Sequence, residues 1–118
     1  MKDVDDPNPG RGAVVVLCTF PDVERARAIA AVLVERRLAA CVNLLPGVES
    51  IYRWQGKLEQ AAETLAIFKT TAIGYPEFER ELATLHPYDV PEIVAVAPEA
   101  VAETYAGWVF NNVAPTSR

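Results

Sequence analysis

The chain has 118 residues, 51% of them hydrophobic and 23% charged, with a formal net charge of −5. That length fits one domain with enough apolar material for a core. The acidic balance excludes a nucleic-acid binder, whose affinity comes from neutralising phosphates with Lys and Arg, and no apolar run approaches the ~20 residues of a membrane span. Two cysteines, Cys18 and Cys41, do not make a disulfide framework and read as reduced thiols, so the cytoplasm is the default location. Residues 1–12 are polar and rich in Pro, Gly and Asp. They predict a disordered tail rather than a signal peptide, ahead of one folded domain over 13–112 and a short tail at 113–118.

Residues 13–19 (AVVVLCT) are apolar and uninterrupted, the pattern of a strand covered on both faces. Thr19 and Asp22 then offer helix-start chemistry, with Pro21 between them. Ala26, Ile29, Ala30, Leu33 and Val34 recur at helical spacing and form one apolar stripe. Acids come early (Asp22, Glu24) and Arg36 and Arg37 come late, which complements the helix dipole. Residues 39–54 read as extended, with a bulge or bend at Pro46-Gly47. Gln55-Gly56-Lys57 is a hairpin turn, and residues 58–71 return as a second long strand. Gly74 and Pro76 open a second helix with Tyr75, Phe78, Leu82 and Leu85 on one stripe. Residues 92–97 read as a last core strand. Residues 98–109 read as a third helix with Val101, Tyr105, Trp108 and Val109 inward, fraying from Asn111. The order β-α-β-β-α-β plus a terminal helix is the α+β ferredoxin-like pattern, two split βαβ units sharing one antiparallel sheet.

The two hairpin strands are about twice the usual ~5–6 residues, so the tip over residues 52–58 must project beyond the body. Val48, Ile51, Tyr52 and Trp54 make that arm too apolar to leave in water, and its open edge invites pairing. In one reading a neighbouring subunit covers it, with Tyr52 and Trp54 as interface anchors. In the other the hairpin folds back and Trp54 is core.

The most informative segment is His86-Pro87-Tyr88-Asp89-Val90-Pro91-Glu92, which carries the only histidine. Each proline pushes the residue before it toward extended geometry, so a helix should end near Leu85. Upstream lie Ala39-Ala40-Cys41-Val42-Asn43, then Tyr52-Arg53-Trp54-Gln55-Gly56-Lys57-Leu58, then Leu65-Ala66-Ile67-Phe68-Lys69-Thr70. Taken in this order, these segments resemble the CutA family of divalent-cation tolerance proteins, over about residues 14–108. The resemblance implies the ferredoxin-like fold, a homotrimer whose hairpins embrace the next subunit, and tolerance to copper and other divalent cations. Some members hold metal through a thiol and histidines, and Cys18 and His86 stand at the matching positions. Leu85 occupies the place of a second histidine found in some relatives.

The topology itself predicts a convergence. With strand order 4-1-3-2, and strands 1 and 3 taken as parallel, Cys18 ends strand 1 while Lys69 and Thr70 end strand 3. Cys41 opens strand 2, and His86, Tyr88 and Glu92 lead into strand 4, so all share one rim. Thiolate and imidazole suit copper and zinc, and Cys18 with His86 is the pair expected to meet. Plainer roles stand beside these: Cys18 and Cys41 as small core hydrophobes, His86 as a helix C-cap, Lys69 with Glu63 as an ion pair.

No catalytic set stands out. Ser50 has no adjacent base, and there is no phosphate loop, HExxH or CxxC, so the chain does not read as an enzyme. Two ligand-binding functions remain, beside a trimer with no ligand. One is a homotrimer that binds copper or another divalent ion weakly. The other is a small-molecule sensor like the trimeric PII signalling proteins, with Glu63, Lys69, Tyr88 and Glu92 around an anionic ligand. Cys41, on the outer strand, would in a trimer face the adjacent chain.

Overall fold

The structure is a computed structural model that describes residues 12–115. Of the tails expected at 1–12 and 113–118, residues 1–11 and 116–118 lie outside the described residues, while Val113 is buried in a small cluster with Ala40 and Val109. The elements run β1 (Ala13–Phe20), α1 (Val23–Glu35), β2 (Cys41–Trp54), β3 (Lys57–Thr71), α2 (Tyr75–Leu85), β4 (Val94–Val96) and α3 (Glu103–Asn111). One four-stranded sheet has the order β2-β3-β1-β4, the arrangement expected of a ferredoxin-like α+β chain.

Strand direction differs from expectation. β1 is antiparallel to both β3 and β4, and β2 is antiparallel to β3. The reason is the crossover: β1-α1-β2 returns in the same direction as β1, and β3 sits between that parallel pair, so it must run opposite to both. This splits the predicted rim, as shown below.

The core follows from alternation. Val14, Val16, Cys18 and Phe20 on β1 are buried, as are Ala26, Ala30 and Leu33 on α1, Ala66 and Phe68 on β3, and Phe78 and Leu82 on α2. Asp22 caps α1 by accepting the Arg25 N–H at 2.8 Å. Phe68 and Phe78 meet edge-to-face at 5.1 Å and join α2 to the sheet.

Two elements differ from their sequence pattern. The last strand is three residues long and exposed rather than a core strand, because it is an edge bracketed by Pro91 and Pro98, neither of which can donate to a ladder. In α3 the buried residues are Ala106 and Val109, while Tyr105 and Trp108 are exposed. The small Ala106 lets the helix approach, and Val109 clusters with Ala40 and Val113. Asn111, expected to fray, is tied down instead: its carbonyl accepts Arg37 Nη2 at 2.6 Å, and the Ala114 N–H donates to the Arg37 carbonyl at 2.8 Å.

β2 and β3 have 14 and 15 residues and pair to the tip, with a register shift between Leu45 and Val48 at the Pro46-Gly47 bulge. The turn residues Gln55 (φ 51°) and Gly56 (φ 80°) both have positive φ, as the tight hairpin turn that matches strand twist requires. The arm gives the chain extents of 53 × 26 × 25 Å. It does not fold back: Ile51, Tyr52, Trp54 and Leu58 are 61%, 42%, 47% and 71% exposed.

Candidate functional site: a closed histidine node beside an acidic cleft

Pro87 holds His86 extended at the end of α2 (ψ 140°), with the His86 N–H still capping the helix on the Leu82 carbonyl at 2.9 Å. Its ring stacks on Phe20 at 4.6 Å and meets Tyr88 at 4.9 Å. Both ring nitrogens are engaged. Nδ1 accepts the Tyr88 N–H at 3.1 Å, so Nε2 carries the proton and donates to the Thr19 carbonyl at 2.8 Å. Burial pushes the His86 pKa below its ordinary value, against the smaller opposing effects of the Thr19 carbonyl and Glu63. The ring is neutral and fixed.

Cys18, on the inward face of β1, addresses the same carbonyl, its Sγ 3.8 Å away. The thiol is fully buried, and burial, then Glu92, then Glu63 push its pKa up to about 12. A metal needs the thiolate and a free imidazole nitrogen. With the thiol pushed toward its protonated form and both ring nitrogens hydrogen-bonded, neither side chain presents a free donor atom in this arrangement. They close the core.

The remaining rim residues part company. Cys41 and Lys69 pair with each other, and Lys69 also pairs with Val15 near the start of β1. Glu63 lies six positions from Lys69 along β3, or about 20 Å at strand rise. The two therefore form no ion pair: Lys69 donates to Asn43, and Glu63 accepts from Tyr88. Cys41 is partly exposed and its Sγ lies 3.5 Å from the Tyr105 hydroxyl, whose pKa that contact and burial push up to about 12.

What the structure does bring together is Glu63, Tyr88 and Glu92, with the arm residues Tyr52 and Trp54. They line a cleft of about 700 Å³ with Thr19, Ser50 and Asp89 among its other walls. The Tyr88 hydroxyl donates to Glu63 Oε2 at 2.6 Å. Desolvation first, then the bond to Glu63, raise the Tyr88 pKa above its ordinary value, so the phenol keeps its proton. Ser50 and Asp89 were not singled out as cleft residues from the sequence. Asp89 is in the HPY segment, and Ser50 shares the alternating face of Tyr52 and Trp54, which is the signal that would have found it.

The family model described as CutA1 divalent ion tolerance protein matches residues 14–112. The chain belongs to this family. A CutA divalent-cation tolerance protein of Thermus thermophilus is 49% identical over 98 residues, covering 83% of this chain and 95% of the relative. One from Pectobacterium atrosepticum is 42% identical over 97 residues, covering 82% and 88%. The crystal structure of CutA from Xylella fastidiosa superposes with a TM-score of 0.85 at 39% identity, covering 87% of this chain and 99% of that one. The family and these relatives are named for divalent-cation tolerance. Among the described residues no helix is long and apolar enough to cross a membrane.

Proposed function

We propose that this chain serves divalent-cation tolerance as a homotrimer in which each arm lies along a neighbouring copy. Copper or another divalent ion is then held weakly, by ligands drawn from more than one copy. The arm carries this reading: it exposes Tyr52 and Trp54 on one face of the hairpin and Ile51 and Leu58 on the other, and exposed apolar groups of this size mark interaction surfaces. Among the described residues no group of three or more His, Cys, Asp or Glu side chains is placed to hold a metal ion, which is why the ligands are assigned to several copies. Two free thiols support a cytoplasmic setting.

The cleft favours a cation over the anionic ligand of a PII-like sensor. Its charged walls are Glu63, Asp89 and Glu92, with no Lys or Arg among the described lining residues. Light scattering at micromolar concentration tests the assembly, and a single-chain mass sinks it. Calorimetric titration of copper and of zinc tests the metal: uptake abolished by Cys18→Ser in an otherwise intact assembly would return the ligands to the histidine node.

A further inference from the structure

Glu63 is a buried carboxylate with one oxygen unpartnered among the described residues. It is 8% exposed. Its Oε2 accepts the Tyr88 hydroxyl, while Oε1 has no hydrogen bond to any described residue. Buried charged groups are ordinarily paired and fully hydrogen-bonded, so this oxygen calls for a donor beyond the described residues. Tyr88 fixes the carboxylate's orientation and leaves the second oxygen to the cleft.

The walls say which donor. Val48 pairs with Glu63 across the hairpin, and alternation puts Ser50, Tyr52 and Trp54 on that same face. The HPY segment adds Tyr88, Asp89 and Glu92 opposite. Acids and aromatic rings dominate this wall. Lys57, across from Trp54 at the tip, is not among the lining residues. Carboxylates attract positive charge, and aromatic faces accept an ammonium or guanidinium within about 6 Å. A bare divalent ion fits less well, since hard cations such as Ca²⁺ and Mg²⁺ take ~6 or more oxygens and Glu63 has committed one of its two to Tyr88. The cleft's size, about 700 Å³, is that of a small-ligand pocket, commonly ~300–1,000 Å³.

We propose that this cleft binds a small organic cation bearing N–H donors, a primary ammonium or a guanidinium, which donates to Glu63 Oε1 and lies against Tyr52 and Trp54. This goes beyond the metal-responsive trimer: the ligand is of another class, and the groups that hold its charge, Glu63, Asp89 and Glu92, lie away from the arm tip that meets the neighbouring copy.

Agmatine is the probe, titrated by calorimetry into the full chain with choline as a cation lacking N–H and glutarate as an anion. Emission from Trp54 in a Trp108→Phe background gives a second readout local to the cleft. Agmatine should bind, choline and glutarate at least roughly tenfold more weakly, a gap of ~1.4 kcal/mol. Glu63→Gln keeps an acceptor for Tyr88 but removes the charge, and should weaken agmatine by a similar factor. Tyr88→Phe keeps the charge but loosens the carboxylate's orientation, and should weaken agmatine by less than Glu63→Gln does. Absence of any agmatine response in the parent chain at millimolar concentration overturns the proposal, as does equal binding of agmatine by folded Glu63→Gln. If Glu63→Gln does not fold, the comparison of agmatine with choline and glutarate decides, and equal binding of the three overturns it. Mass measured on the same samples separates the two readings. A monomer that binds agmatine sinks only the trimer, whereas a trimer that ignores it sinks only this site.

Discussion

The histidine node and the arm tip draw on similar residue types and end in opposite states. At the node, Phe20 stacks on His86 and Tyr88 tilts against it, and both nitrogens of the imidazole have a partner within the chain. Toward the tip, Tyr52 and Trp54 stand on a two-stranded ribbon where they form one wall of the open cleft, and both remain more than 40% exposed. A two-stranded hairpin alone is marginal in water. Aromatic content by itself thus does not distinguish a structural site from an interaction surface. What distinguishes them is whether the chain satisfies the residues itself. The node is complete, and the arm needs a second copy.

That contrast is broken most severely at the node. His86→Ala removes a buried ring and leaves the Thr19 carbonyl and the Tyr88 N–H without their partners, so unfolding by denaturant should show a loss of about 3 kcal/mol or more. Copper uptake should be unaffected. Weaker uptake with unchanged stability would mean that the ring is a ligand after all. Trp54→Ala should cost about 2 kcal/mol or more, but in assembly rather than in the fold. Sedimentation should then show smaller species whose circular dichroism is that of the parent. Tyr88→Phe removes the donor to Glu63 Oε2 and should cost about 1–2 kcal/mol, since it leaves a buried carboxylate less satisfied.

Smaller effects sharpen the contrast. The pKa of His86 is lowered on folding, so the unfolded chain takes up the proton first as pH falls. Stability is therefore complete above the unfolded value of about 6.5 and declines below it, down to the folded value. Urea midpoints at pH 7.5 and pH 5.5 should show the decline, with a smaller pH dependence in His86→Gln. Cys41→Ser, on the partly exposed outer strand, should change stability by no more than about 0.5 kcal/mol.

The sequence carried the sheet order, the core face of β1, the bulge at Pro46-Gly47 and the arm, because each rests on period, chain length or a proline. Strand direction was hidden because alternation reports faces, not polarity. Only the handedness and packing of the crossover settle it, and with it the separation of Cys41 and Lys69 from Cys18 and His86. Tyr105 and Trp108 were expected inside on size alone, where Ala106 packs instead. The convergence of Cys18 and His86 on one end of β1 was legible, but its meaning was not. Both address the backbone carbonyl of Thr19, an acceptor that no side-chain pattern announces. The open oxygen of Glu63 was likewise invisible until the Tyr88 hydroxyl was seen to take the other one.

The central claim is that the arm is unfinished within one chain. Native mass measurement at micromolar concentration tests it most directly, run on the parent chain and on Trp54→Ala side by side. The account predicts three chains per particle for the parent and a shift toward single chains for the variant. A parent that runs as one chain, folded and soluble with Trp54 in water, would contradict it.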